Sequence, residues 1–245
     1  MNEFKEIADL IRHSGNICAF TGAGISVESG IPPFRGEGGL WSKYDPAILD
    51  LDTYKTNSEK SWPVIKKLFF DFFGKAKVND AHTGLAKLEK AGYLKSIITQ
   101  NIDNLHFDAG NKEVYEYHGN SRQMLCLSCS EVEQVKNIFL NDKAPRCKNC
   151  GGLLKPDFIF FGEGIPMDAY ENSLNAARTC DLMILIGTKG EVIPASSLPY
   201  IAKESGAKII EINIEETVYT ASISDYFIKQ KASIAMNNLI KELNL

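Results

Sequence analysis

Two Cys-x-x-Cys pairs, Cys126/Cys129 and Cys147/Cys150, are separated by 17 residues and are the most specific chemistry in the chain. Each short turn lets two thiolates reach one ion, and two such turns complete a tetrahedral four-cysteine set for zinc. Sulfur in all four positions leaves no place for water, so the implied ion is structural. The intervening residues 130–145 are not basic, which weakens a nucleic-acid role for this module. A second signal is Thr21-Gly22-Ala23-Gly24 directly after an apolar run. Glycines there let backbone N–H groups approach a pyrophosphate. Val27 occupies the third glycine position of G-x-G-x-x-G, and no acidic residue ends the second strand to hold a ribose. Taken alone, the loop leaves its ligand open. His118 alone reads as a hydrogen-bonded histidine of core or surface, and residues 101–104 (NIDN) alone read as a turn. His13 and His82 read as structural, His82 at a helix start, and so does His106.

The elements that must carry these residues alternate. Residues 16–21, 94–99, 158–161, 181–187 and 208–213 are short, nearly continuous apolar runs and read as buried strands. Helical patterns cover residues 81–91, 168–178, 199–205 and 233–243. Such alternation predicts an α/β fold, a Rossmann-like parallel sheet with helices on both faces and ligands at the carboxyl ends of the strands. Two regions break the pattern. Residues 36–81, with Trp62, Phe69, Phe70, Phe72 and Phe73, and residues 121–155, with the paired cysteines, read as a helical and a zinc-binding insertion forming a smaller lobe. The remaining segments, 1–35, 82–120 and 156–245, make the larger domain.

A chain of 245 residues with 44% hydrophobic content can bury a real core, and a net charge of −4 offers no cationic field for nucleic acid. No run is apolar enough to span a bilayer, and the start lacks the pattern of a secretory signal. The expectation is a cytoplasmic monomer that uses neither membrane nor nucleic acid.

Together the motifs are more specific than any one of them. Residues 22–36 (GAGISVESGIPPFRG), 99–106 (TQNIDNLH), Tyr117-His118-Gly119, the four cysteines, residues 155–163 (KPDFIFFGE), Gly187-Thr188, Val192-x-Pro194-Ala195, Asn213 and residues 225–228 (DYFI) resemble, in order, the signature of the sirtuin family. The resemblance spans nearly the whole chain. It implies an NAD-dependent protein lysine deacylase, with a Rossmann-like domain, a small zinc-binding domain and an active site between them. NAD+ would be the co-substrate, acyl-lysine proteins or peptides the partners, nicotinamide and O-acyl-ADP-ribose the products.

Roles follow position by position from the resemblance. His118 matches the general base, with Asn101 and Asp103 in the catalytic set; imidazole suits that work because it titrates near neutrality. Ile31, Ile102 and Asp103 match the nicotinamide pocket, Phe34 and Arg35 the cofactor loop, and Gln100 and Asn101 the groups bonding ribose and a water. Gly22, Ala23, Gly24, Gly187, Thr188, Lys189, Asn213, Ile214, Glu215 and Ala232 would hold the phosphates and the adenosine half. Phe161, Gly162, Glu163 and Val192 match the groove in which a peptide pairs as an added strand.

Three positions depart from the commonest pattern: Pro33 for Asp, Lys189 for Ser and Val27 for Thr. They bear on affinity and loop behaviour but leave the base, the pocket carboxylate and the zinc ligands in place. Sirtuins that prefer succinyl or malonyl groups carry a Tyr and an Arg in the small lobe, whereas residues 36–121 here contain no arginine. An acidic acyl tail would lack its bidentate partner. The expectation is deacetylation, extending to longer apolar acyl groups, with the run 69–73 either lining an acyl channel or forming small-lobe core. The alternatives are a mono-ADP-ribosyltransferase on the same fold and a non-catalytic NAD or zinc-ribbon interaction module.

Overall fold

The computed structural model describes residues 3–34 and 38–245. Its helices are α1 (Glu3–His13), α2 (Leu51–Ile65), α3 (Asp80–Lys90), α4 (Leu105–Asp108), α5 (Met167–Thr179), α6 (Leu198–Glu204) and α7 (Ala232–Leu243). Its strands are β1 (Ile17–Thr21), β2 (Leu94–Thr99), β3 (Val114–Glu116), β4 (Gly119–Cys126), β5 (Val132–Gln134), β6 (Leu154–Phe158), β7 (Leu182–Ile186), β8 (Lys208–Asn213) and β9 (Tyr226–Lys229).

The larger sheet runs β3-β2-β1-β7-β8-β9, and every neighbouring pair in it is parallel. Burial on both faces explains its composition: β1 and β7 (ICAFT, LMILI) are buried at every position. One face packs Ile17, Ala19, Ile184 and Ile210 against Ile7 and Ile11 of α1, Leu85 of α3 and Met236 and Leu239 of α7. The other packs Cys18, Phe20, Met183 and Ile209 against Ala176 and Ala177 of α5 and Leu198 and Ala202 of α6. Chain order reverses between β1 and β7. That makes their carboxyl ends the topological switch point, where such sheets bind ligands.

A second, antiparallel sheet, β5-β4-β6, continues from Gly119 to Phe158 and carries the cysteines. A separate core joins it to the helical segment through Tyr54, Trp62, Phe69, Cys126, Cys147, Phe158 and Phe160. Trp62 Nε1 donates to the Asn141 carbonyl at 2.8 Å, tying the two insertions together. Helix α2 starts on an Asp50 cap, whose Oδ1 accepts from Thr53 N at 2.7 Å, and is bent at Asn57 (φ −131°, ψ 37°). Residues Lys66–Phe72 continue it as a π-helix.

One expectation about the strands needs correction. Residues 158–161 are not a strand of the parallel sheet: Phe158 ends antiparallel β6, and beyond it only Phe161 bridges, to Asp50. Their apolarity comes from closing the small-lobe core. The glycine loop opens into a 3-10 helix, Ala23–Ser29. No helix among the described residues is long and apolar enough to cross a membrane.

Candidate active site and zinc centre

Above the switch point the loops after β1 and β7 interlock. Gly22 N donates to the Ile186 carbonyl at 3.0 Å and Gly24 N to the Gly187 carbonyl at 2.8 Å. A Cβ on Gly24 would lie 2.5 Å from Gly187 Cα, and one on Gly187, at φ +63°, 2.3 Å from Ile25 N. Neither loop tolerates a side chain at that crossing. Asn213 Nδ2 then donates to the Thr188 carbonyl at 3.0 Å, and Gln100 Nε2 to Thr188 Oγ1 at 3.1 Å, so the ends of β2, β7 and β8 are laced together.

These loops floor a cavity of about 1120 Å³. It is lined by Gly22, Ala23, Gly24, Phe34, Gln100, Asn101, Ile102 and His118, by Phe161, Gly162, Glu163 and Val192, and by Gly187, Thr188, Lys189, Asn213, Ile214, Glu215 and Ala232. Residues singled out from well-separated parts of the sequence thus share one space. Ile31 and Asp103 do not line it: Ile31 is buried in the small-lobe core, and Asp103 lies beneath the floor. Arg35 lies outside the described residues. Lys189 does not stand as a lone cation facing a nucleotide; its Nζ pairs with Glu215 Oε1 at 2.6 Å.

His118 Nδ1 lies 3.0 Å from the Gln100 carbonyl oxygen. A carbonyl can only accept, so Nδ1 carries the hydrogen and Nε2 of the neutral ring keeps its lone pair. Burial lowers the pKa of His118, and the Gln100 carbonyl opposes that shift. The ring is therefore a neutral base at physiological pH.

Beneath the floor runs a buried polar network that the sequence did not disclose. Ser26 Oγ donates to Asp103 Oδ2 at 2.7 Å, while Asp103 Oδ1 caps α4 by accepting from Leu105 N at 3.0 Å. Burial raises the Asp103 carboxyl above its usual range, against the pull of Ser26. Asn101 Nδ2 reaches the Gly22 carbonyl at 3.1 Å and Ser26 Oγ at 3.3 Å. His82 Nε2 lies 3.4 Å from the same hydroxyl, and its Nδ1 accepts from Asn79 N in the capping box of α3. His106 Nε2 meets Thr21 Oγ1 at 2.9 Å, and that hydroxyl donates to Thr99 Oγ1 at 2.9 Å. Burial drives His82 down to about 4 and His106 to about 3. Both stay neutral in the folded protein, while the unfolded chain takes up protons below the ordinary value of 6.5. Stability is therefore fully present above pH 6.5 and falls as pH drops towards 4. Each ring should contribute about 1.4 kcal/mol per pH unit. Urea unfolding at pH 7 and pH 5 should show a clear loss at the lower pH, and equal midpoints would contradict it.

The cavity also takes in Trp41, Leu49, Phe158 and Phe160 on one side and Gln230 and Lys231 on another. Neither group was singled out as lining a ligand site. Gln230 and Lys231 follow β9, so the strand-end rule would have found them had that four-residue strand been recognised. Phe69 and Phe73 are not among the lining residues. They sit behind the wall, with Phe69 stacked on Phe34 at 6.4 Å and tilted against Phe158 at 4.9 Å, so Phe69 and Phe73 are small-lobe core, whereas Phe70 is half-buried and Phe72 is exposed.

In the second lobe the sulfur atoms of Cys126, Cys129, Cys147 and Cys150 all lie within 4.8 Å of one another. The closest pairs, Cys129–Cys150 at 3.4 Å, Cys126–Cys150 at 3.5 Å and Cys129–Cys147 at 3.8 Å, are far longer than a disulfide. Sulfurs each about 2.3 Å from a central zinc would stand about 3.8 Å apart. The donor set and spacing fit a structural zinc ion.

Comparison with known proteins agrees with this geometry. The sequence model of the Sir2 family matches residues 22–194. The NAD-dependent protein deacylase of Pyrococcus furiosus is 42% identical over 248 residues, covering 97% of each chain. The NAD-dependent protein deacetylase 1 of Pyrobaculum aerophilum is 39% identical over 244 residues, covering 99% of this chain and 95% of its own. Among solved structures, a Sir2 homolog–NAD complex superposes with a TM-score of 0.91 at 38% identity, over 98% of this chain and 93% of that one. A Sir2–p53 peptide–NAD+ complex does so at 0.89 and 35% identity, over 98% of each. On likeness of this extent the chain belongs to the Sir2 family.

Proposed function

We propose that the protein is an NAD-dependent protein lysine deacylase that removes acetyl and longer apolar acyl groups, releasing nicotinamide and O-acyl-ADP-ribose. The observation that carries this reading is the single cavity shared by the interlocked glycine floor, the neutral base His118 and the apolar wall Phe34, Trp41, Leu49, Phe158 and Phe161. NAD+ supplies an activated glycosidic bond; the chain supplies the rest. Gly22, Ala23, Gly24, Gly187 and Thr188 take the phosphates, and Asn213, Ile214, Glu215 and Ala232 the adenosine half. Gln100, Asn101 and Ile102 hold the ribose and nicotinamide side, with Phe34 and Arg35 as the covering loop. Asp103 and Ile31 act from below and behind: Asp103 fixes Ser26 and the start of α4, and Ile31 backs the pocket. His118 Nε2 takes a proton from a ribose hydroxyl. Phe161, Gly162 and Val192 border the groove for the acyl-lysine peptide. The partners are acyl-lysine proteins or peptides, a reading supported by a similar Sir2 structure that holds a deacetylated p53 peptide. Residues 1–35, 82–120 and 156–245 would serve the dinucleotide, and residues 36–81 and 121–155 the peptide-side lobe. Thiolates kept free for zinc favour a reducing compartment, which we take to be the cytoplasm.

The acyl preference follows from the wall. Four of its five named residues are aromatic and one is leucine, and residues 36–121 contain no arginine to pair with an acidic tail. Matched lysine peptides bearing acetyl, butyryl, myristoyl and succinyl groups, assayed with NAD+, should show acetyl or myristoyl removal at least about tenfold faster than desuccinylation. Faster desuccinylation would overturn the acyl assignment. Nicotinamide release with no acyl peptide present, and with ADP-ribose retained on protein, would favour the transferase instead.

A further inference from the structure

Residues 158–163 wall the cavity, and their shape is held from two sides. From outside, Phe161 N donates to the Leu49 carbonyl at 2.7 Å and the Phe161 carbonyl accepts from Leu51 N at 3.1 Å. From beneath, Lys155, only 2% exposed, spends its ammonium entirely within this segment. Its Nζ donates to the carbonyls of Pro156 at 2.8 Å and Phe158 at 2.9 Å and pairs with Glu163 Oε2 at 3.1 Å. That same carboxylate oxygen accepts from Phe160 N at 2.7 Å. The ammonium also sits 4.9 Å from the centroid of the Phe160 ring. An ammonium enclosed this far is costly, and burial pushes Lys155 below its usual range while Glu163 pulls it back. Glu163 thus turns its carboxylate inward to the chain.

We propose that Lys155 and Glu163 are a positioning pair: they set the backbone of residues 158–163 in the form an acylated peptide docks against, and neither side chain contacts the substrate. The proposal rests on the deacylase reading and deepens it. It reassigns Glu163, which the family resemblance places among the substrate-groove residues, to a role beneath that groove. The dinucleotide floor is built from the loops after β1, β7 and β8 and shares no hydrogen bond with this pair, so the two ligands should respond differently.

Two variants separate the roles. Lys155→Met removes the charge at similar length and leaves Glu163 without its cation. Glu163→Gln keeps an acceptor for Phe160 N but removes the charge. Binding of a fluorescent acetyl-lysine peptide is read by anisotropy, and binding of ADP-ribose by calorimetry, on the zinc-loaded protein. Each variant should weaken the peptide by about tenfold and ADP-ribose by less than about twofold, with the double variant little worse than either single. Unchanged peptide affinity in Glu163→Gln overturns the proposal. So does parallel weakening of both ligands, which marks general loosening. If Lys155→Met does not fold, Glu163→Gln decides by the same criteria. A parent that binds no acylated peptide overturns the deacylase reading and this one together. A parent that binds it, with both variants matching it, overturns this one alone.

Discussion

His118→Ala should lower kcat for deacylation by about 10²–10⁴-fold, the range for loss of a positioned general base, while the fold and the zinc content stay as they are. Among the described residues the ring is bonded to the Gln100 carbonyl and meets Tyr117 edge-on at 5.7 Å. Removing it therefore costs little packing. Nicotinamide release in a single turnover should fall less than acyl loss, because the base acts after the first bond changes. The pH profile supplies a second reading. Burial lowers the His118 pKa, so the parent should keep its activity as pH falls through 6.5 and lose it only below. Burial holds His82 down at about 4 and His106 at about 3, so neither ring supplies an acid limb near pH 6.5. A variant as active as the parent, or an acid limb above pH 6.5, would remove His118 from the mechanism.

Cys147→Ala, or removal of zinc by a chelator, should unfold the smaller lobe. Zinc held by four thiolates contributes on the order of 10 kcal/mol to small folding units, more than a sheet of three short strands can replace. Cys126 and Cys147 are themselves members of the core that contains Tyr54, Trp62 and Phe158, so the damage should spread into α2. Trp62 emission reports this directly, since its indole is bonded to Asn141 in the zinc-bearing segment. The expected result is red-shifted emission, rapid proteolysis between residues 119 and 158 and loss of peptide turnover. ADP-ribose should still bind the larger sheet. An apo protein with unchanged emission and melting temperature would show that the ion is dispensable.

Much of this was legible in the sequence for physical reasons. Strands β1, β2, β7 and β8 are buried on both faces, and double burial writes itself as a continuous apolar run. Helices α3, α5, α6 and α7 each bury one face and show it as periodicity. The edge strands β3 and β9 escape such a reading, because three or four residues, most of them not fully buried, are too few to carry a period. Residues 158–161 mislead because an apolar run records burial, not the sheet to which it belongs. The zinc set was readable from spacing alone, since a chelate constrains local sequence. By contrast the Ser26–Asp103–Asn101–His82 network joins residues up to 77 positions apart, and nothing in either neighbourhood announces the other. The same holds for Lys155 and Glu163, whose local motif shows what is present but not which way it faces.

The crossing of Gly24 over Gly187 fixes where this molecule is able to change shape. Two strands whose loops touch backbone to backbone, with no side chain between them, cannot slide or part without breaking the centre of the sheet below. The arrival of a dinucleotide therefore meets a riveted base plate. Any accommodation it demands falls on the opposite rim, where Phe34 and Trp41 lean ring against ring at 5.6 Å and are joined by the hydrogen bond from Trp41 N to the Phe34 carbonyl, with no crossing of glycines to lock them. Amide hydrogen exchange with and without ADP-ribose should find Gly24 and Gly187 slow in both states, and the protection gained on the rim.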